Sequence, residues 1–359
     1  MKILQVCPRY YPSIGGVEEH VRNISERLVE KYDLTVFTTD PSGKLLKEEI
    51  VNGVKVKRFK SWAPSESYYF SNDLKDELSR VSGCFDIVHA HSYHAFPSLY
   101  SVRAKGNSNL IFTPHFHGTG HTFFRKLLHI PYKFLGKKIF EKADKIICIS
   151  KYEKNLLVDH FRFDNNKIVL IPNGVNLREF RNLKKQTKNY KVILYVGRLE
   201  KYKGVQYLIK ALPKMDQDII LEIIGKGPYK NSLIKLARKL NVEQRASFSQ
   251  DLLRSELLQK YADADAFVFL SKYEAYGISV AEALCAKTPC VVSNSSALKE
   301  WVDNENCFGI DYPINLDKLA KLIDEAIGKN VKAPKVSDWD ETAEKLARLY
   351  ESLQIRHDF

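Results

Sequence analysis

Short apolar runs of strand length recur along the chain, most of them separated by longer stretches whose apolar positions fall three and four residues apart. In the first half the runs are Ile3 to Cys7, Leu34 to Thr38, Ile87 to Ala90, Leu110 to Thr113, Ile146 to Ser150 and Ile168 to Ile171. Near-continuous apolar runs mark strands buried on both faces, and the amphipathic segments between them mark helices. Such alternation predicts a parallel sheet covered on both sides, doubly wound because its crossovers are right-handed. Val54 to Phe59 alternates at period two instead, which predicts a hairpin decorating that sheet.

After Pro172-Asn173-Gly174 comes a polar, basic stretch from Arg178 to Lys191, and then the pattern restarts with Val192 to Val196, Ile219 to Ile224, Ala266 to Leu270 and Cys290 to Ser293. A second doubly wound domain is expected there. The final segment from Trp339 places Ala343, Leu346, Leu349 and Leu353 at helical spacing with no strand after it, so it reads as a closing helix. A chain of 359 residues with 44% hydrophobic content can bury two such cores.

Composition narrows the class. The six cysteines show no C-x-x-C pair and no zinc-finger spacing, and lie in apolar runs, as expected of buried thiols in a reducing compartment. The apolar stretch before Pro8 is too short for a signal-peptide core, so a cytoplasmic protein is expected. The formal charge of +13 fits an acidic substrate, nucleic acid or an anionic membrane surface. No nucleic-acid recognition motif or stacking platform is visible, which sets that partner aside. Between Asp86 and Glu141 there is no acidic residue, while Arg103, Lys105, Arg125, Lys126, Lys133, Lys137 and Lys138 all fall there. Within it, Phe123 to Lys138 mixes aromatic, aliphatic and basic side chains in the manner of an interfacial helix, broken by Pro131. Peripheral contact with an anionic membrane is expected of that stretch; an amphipathic helix packed on its own domain is the alternative.

Four segments carry candidate chemistry. Gly15-Gly16 follows the first strand and opens a helix, a position that offers backbone N–H groups to a ligand; a tight turn needing positive φ is the alternative. Thr113-Pro114-His115-Phe116-His117 lies just beyond a buried strand, where an imidazole can bind substrate or shuttle a proton. His89, His91, His94, His121 and His129 add to that cluster, most of them as ordinary surface or hydrogen-bonded residues, and a metal pair lacks an acidic partner nearby in sequence. In Gly197-Arg198-Leu199-Glu200-Lys201-Tyr202-Lys203-Gly204, Arg198 can fork onto phosphate oxygens while Lys203 supplies a point charge and Gly197 lets the backbone come close. In the fourth segment Glu274 follows a strand, Gly277 and Ile278 open a helix whose amides can meet a phosphate, and Glu282 sits two turns on in an apolar setting where an unpaired charge is costly. One carboxylate can bind sugar hydroxyls and the other a ribose.

These segments in this order resemble glycosyltransferase family 4, of the GT-B fold, across essentially the whole chain. Glu274 and Glu282 look like its E-x7-E signature, and Gly197-Arg198-Leu199 with Lys203-Gly204, Ile171 to Val175, and Gly225-Lys226-Gly227-Pro228 are similar to its usual segments. The resemblance implies two Rossmann-like domains facing a central cleft: 1–172 with a closing helix at 338–359 for the acceptor, and 173–337 for the nucleotide sugar. It implies a retaining transferase that needs no metal or other cofactor and uses a nucleotide-sugar donor such as a UDP- or GDP-sugar. Arg198 and Lys203 would hold the diphosphate, Glu274 the transferred sugar and Glu282 the ribose, with Gly225, Gly277 and Ile278 on the donor side. Gly15 and Gly16 would flank acceptor and donor phosphates. His115 would be the active-site histidine, with His117 its substitute in a shifted register.

The chain departs from the family at Lys287, where glycine is usual, and at Ser296-Ala297, which replace a frequent glycine pair. The basic aromatic stretch favours a lipid-linked glycan or glycolipid acceptor. A nucleotide-sugar epimerase or synthase of the same fold, or a non-catalytic partner subunit, are the alternatives.

Overall fold

A computed structural model of the chain describes residues 1–64, 68–118, 136–161, 165–332 and 334–354. The chain divides into two compact units, Met1–Gly174 with Trp339–Phe359, and Val175–Asp338.

The first unit is built on β1 (Lys2–Val6), β2 (Asp33–Asp40), β3 (Glu48–Val51), β4 (Val54–Lys60), β5 (Ile87–His91), β6 (Asn109–Thr113), β7 (Lys145–Cys148) and β8 (Ile168–Leu170), in the order β3-β4-β2-β1-β5-β6-β7-β8. All neighbours run parallel except β3 against β4. That exception is the expected hairpin: Asn52 and Gly53 take φ of 49° and 84°, the left-handed pair that a two-residue turn needs to match strand twist. Successive side chains of β1 serve opposite faces. Ile3 joins Val21, Ile24 and Leu28 of the helix Gly16–Leu28 and Leu346 and Tyr350 of the last helix, Trp339–Gln354. Leu4 and Val6 join Leu74 and Leu78 of the helix Asn72–Arg80 on the other face. The closing helix thus completes the core of the first unit.

The second unit holds β9 (Lys191–Val196), β10 (Ile219–Ile224), β11 (Ala246–Ser249), β12 (Ala266–Phe269), β13 (Cys290–Ser293) and β14 (Cys307–Ile310) in the parallel order β11-β10-β9-β12-β13-β14. Two of these escape the hydrophobic pattern: Ala246-Ser247-Phe248-Ser249 is an edge strand with little apolar content, and Cys307 to Ile310 is interrupted by Gly309. The thiol expectation also needs correction, because Cys84 is exposed and Cys285 only partly covered, while the other four are buried.

In each sheet the strand order reverses beside the first strand of its unit, between β1 and β5 and between β9 and β12. Ligands of open α/β sheets bind beyond the carboxyl ends of strands at such a point. Among the described residues no helix is long and apolar enough to cross a membrane.

Candidate active site

At the carboxyl end of β9, Gly197 takes φ of 159° and its amide donates to Ile224 O at 3.0 Å; Leu199 N donates to Lys226 O at 2.7 Å. The loops after β9 and β10 are therefore laid directly on each other. A Cβ at Gly225 would stand 1.9 Å from Gly197 O, so only glycine permits this approach. Next, Lys201–Lys203 forms a single 3₁₀ turn closed by Gly204, whose φ of 82° and closeness to Leu270 O exclude any side chain. The turn aims Lys203 inward, 5.3 Å from the ring centroids of both Tyr202 and Phe269, where its ammonium bonds the Glu274 carboxylate. Burial works against that charge, but Glu274 and Tyr202 outweigh it and hold the lysine above its ordinary pKa. Lys203 stays protonated at any physiological pH. Arg198 is 42% exposed and lies 3.4 Å from Glu200, so it keeps a solvent-facing guanidinium beside the paired groups.

Glu274 is itself positioned from the other side. Its amide donates to Ser296 Oγ at 2.9 Å, and Ser296 sits at φ of 52°. The departure from glycine at this position thus keeps glycine's backbone and adds a hydroxyl acceptor. Lys287 behaves similarly. It closes the helix Ile278–Cys285 at φ of 62°, with Lys287 N donating to Leu284 O at 3.0 Å and Thr288 N to Ala283 O at 2.9 Å, the Schellman pattern that glycine usually occupies. Gly277, at φ of 97°, precedes Ile278 at the start of that helix. The structure does not leave Glu282 unpaired: its Oε1 accepts from Arg254 at 2.6 Å and its Oε2 from the Tyr261 hydroxyl at 3.0 Å, while Arg254 also reaches Glu179. Glu274 and Glu282 therefore take different partners.

In the first unit, Gly15 is extended and Gly16 does not take positive φ, so the tight-turn alternative falls. A Cβ at Gly15 would stand 2.4 Å from Glu18 Oε2, whereas one at Gly16 would meet nothing within 4 Å, leaving open space over the backbone. His115 follows β6 in the left-handed region, at φ of 49°, and is buried. Burial, and then the charge of neighbouring imidazoles, drive its pKa well below the ordinary histidine value. A ring shifted in that direction is neutral near pH 7, which favours substrate binding over proton transfer of the two roles expected of it. His117 is partly buried, its ring 5.5 Å from that of His94.

Two features escaped sequence reasoning. Glu153, fully buried on the helix Lys151–Phe161, accepts the amides of Phe116 and Ile149 and so pins the His115 loop to the next strand. Burial raises its carboxyl to about 8 despite those two bonds. An acidic residue in the first turn after Ser150 was its one signal in the sequence. The second is the convergence of His20, His91 and His115, one ring nitrogen of each lying within 4.8 Å of the others. The basic aromatic stretch from Phe123 lies outside the described residues up to 135; Lys137 and Lys138 fall in the helical residues 136–142.

Residues 14–179 match the model of Glycosyltransferase Family 4, and residues 178–352 that of Glycosyl transferases group 1. The glycogen synthase of Mycobacterium tuberculosis is 29% identical over 85% of this chain and 80% of its own. A GDP-mannose:cellobiosyl-diphosphopolyprenol alpha-mannosyltransferase of Komagataeibacter xylinus is 26% identical over 98% of this chain and 93% of its own. Anabaena HepE, solved in complex with UDP, superposes with a TM-score of 0.79 at 18% identity, covering 98% of this chain and 100% of that one. That last likeness shows the fold, two Rossmann-like α/β units of the GT-B type. With consecutive family models running from residue 14 to residue 352 over such a fold, the chain belongs to glycosyltransferase family 4 and is a glycosyltransferase.

Proposed function

We propose that the protein is a retaining glycosyltransferase that moves a sugar from a nucleotide diphosphate sugar to a hydroxyl of a lipid-linked glycan or glycolipid, without a metal at the diphosphate. The observation that carries this reading is the largely covered Lys203–Glu274 pair at the switch point of the second unit, with Arg198 half-exposed beside it. A lysine kept charged inside the protein and a forked guanidinium are suited to neutralise a departing diphosphate, and such preorganised charge is the largest single contribution to many transfer rates. The carboxylate that fixes Lys203 then serves the hydroxyls of the transferred sugar, and the acceptor attacks from the face the diphosphate leaves. Glu282 reaches the ribose from its place beside Arg254. Open backbone at Gly16 and the neutral imidazole of His115 bind the reactants in the first unit, His115 as a hydrogen-bonding group rather than an acid.

The diphosphopolyprenol named for the Komagataeibacter mannosyltransferase and the basic aromatic stretch Phe123 to Lys138 support a lipid-linked acceptor and peripheral attachment to the inner face of a membrane. The UDP bound by HepE and the GDP-mannose of the mannosyltransferase support a uridine or guanosine donor. Calorimetric titration with UDP, GDP, ADP and their sugar conjugates, first in EDTA and then in magnesium, tests the donor site: saturable binding of one nucleotide under both conditions is expected. Binding only with magnesium overturns the metal-free diphosphate site. With the donor known, transfer onto a polyprenyl-diphosphate saccharide is expected, and transfer onto soluble glucan alone overturns the lipid acceptor.

A further inference from the structure

Glu282 is held by one helix through two side chains. Arg254 opens the helix Arg254–Asp263, and Tyr261 lies seven residues on, two turns along the same face. Arg254 Nη1 donates to Glu282 Oε1 at 2.6 Å, and the Tyr261 hydroxyl donates to Oε2 at 3.0 Å. Tyr261 is fully buried. Burial, followed by the charge of Glu282, raises its hydroxyl well above the ordinary tyrosine pKa, so it keeps its proton and donates. Each oxygen of the carboxylate thus accepts one bond, and the Glu282 side chain is left only 12% exposed.

Arg254 is in turn held from behind. Its Nε and Nη2 both donate to Glu179 Oε2, at 2.9 and 2.7 Å, from the 3₁₀ turn Leu177–Phe180. Burial opposes its charge, but Glu282 and Glu179 outweigh burial and hold the guanidinium above its ordinary pKa. Helix formation does not account for an arginine here. A cation in the first turn opposes the helix dipole, and the preceding residue, Leu253, is 68% exposed and offers no side-chain cap. Two local rules are broken where this helix meets Glu282, and departures of that kind belong to functional positions.

An ionised carboxylate has about four lone-pair sites, so Glu282 keeps one on each oxygen. One open site on each of two coplanar oxygens matches a vicinal diol, whose two hydroxyls are both donors. The last torsion of a glutamate is broad, and a carboxylate tied at one oxygen alone swings about it. Two ties are needed to keep both open sites aimed.

We propose that Arg254 is a positioning residue for donor recognition: braced by Glu179, it fixes the plane of Glu282 so that the carboxylate takes both hydroxyls of the donor's ribose and discriminates against deoxyribose. This rests on the reading that Glu282 serves the ribose. Arg254 acts through Glu282 and grips no part of the donor itself, so its contribution vanishes when the ribose hydroxyls are gone.

The test is calorimetric titration of the full chain, in EDTA, with UDP, GDP and ADP and with their 2′,3′-dideoxy forms. Wild type should bind the ribose form of its nucleotide at least about 100-fold more tightly than the dideoxy form, the order expected of two hydrogen bonds to a charged group. Arg254→Ala should lose roughly 10-fold for the ribose form, the order of one such bond, and leave the dideoxy form unmoved. Glu179→Ala should show the same pattern more weakly. Equal weakening of both forms in Arg254→Ala, as a direct grip on the diphosphate would give, overturns the inference, and so does an undiminished preference for ribose. Should Arg254→Ala fail to fold, Arg254→Lys supplies the decision: an ammonium keeps the charge without the planar fork that bridges two carboxylates, so the preference should narrow. A folded lysine variant with wild-type preference overturns the role. Wild-type binding with no preference for ribose overturns this inference alone and leaves the nucleotide site standing, whereas binding of none of these nucleotides overturns the donor site and the inference together.

Discussion

Replacing His20 with glutamine should flatten the acid limb of the first unit's stability. Burial, opposed in part by the Asn173 bond, lowers His20 from 6.5 to about 4. Because the folded pKa lies below the unfolded one, the unfolded chain binds the extra proton as pH falls from 6.5 toward 4, and folding stability drops over that window while remaining whole above it. At pH 5 the term amounts to about 1.5 pK units, or about 2 kcal/mol, against essentially nothing at pH 7.5. His89, His91 and His115 are shifted in the same direction, and Glu153, raised to about 8, opposes them by losing stability as pH rises through the same range. Those groups remain in the variant, so the difference between the two pH profiles reports His20 together with its charge coupling to the neighbouring rings, even though the substitution also has a constant cost. Of the three tryptophans, Trp62 and Trp339 belong to the first unit and Trp301 to the second. Urea unfolding followed by fluorescence in a Trp301→Phe background, in EDTA, therefore reports the unit that matters. Between pH 7.5 and 5 the His20 protein should lose about 2 kcal/mol more than the His20→Gln protein. Parallel profiles would refute the claim that His20 is buried in neutral form.

Arg198→Ala should lower turnover by about 10²–10³-fold, the effect of removing one charge-stabilising donor, with a thermal midpoint close to wild type because the side chain is half-exposed; steady-state kinetics beside calorimetry would show a normal turnover if the role is wrong. Glu282→Ala should destabilise the second unit by about 1–3 kcal/mol, since the buried Tyr261 hydroxyl loses its acceptor, whereas Glu282→Gln keeps an oxygen there and should cost less. Equal stability of the two variants in urea melts would contradict that account. Lys287→Gly should stabilise by roughly 0.5–1 kcal/mol, as relief of a left-handed residue outweighs the added freedom of the unfolded chain; a lower melting temperature would count against it.

The sheets were legible because buried parallel strands are nearly pure apolar runs: β5, β6, β12 and β13 each bury every residue. Where one face is open or a glycine intervenes, as in β11 and β14, that signal fades while the hydrogen-bonded ladder persists. Arg198, Lys203 and Glu274 were readable from local motifs, since each sits in a loop whose glycines and charges are contiguous. Glu153 and the three-histidine cluster were not, because their meaning lies in what they face: positions 20, 91 and 115 are strangers in sequence and meet only once β1, β5 and β6 stand side by side. Lys287 and Ser296 show the reverse. Their side chains suggested altered loops, yet the backbone keeps the conformation glycine would have had.

The last helix belongs to the unit that the chain begins, and this divides the order of synthesis from the order of folding. At ~5–20 residues per second, roughly 10–30 s separate the emergence of Gly174 from that of Trp339 on the ribosome. Throughout that interval Val21, Ile24 and Leu28 lack the Leu346 and Tyr350 side that covers them in the finished protein. The second unit, contiguous from Val175 to Asp338, has no such wait and can fold as soon as it is made. A nonsense mutation near residue 338 would therefore damage the half of the molecule already longest in existence, leaving an open apolar face for chaperones to guard.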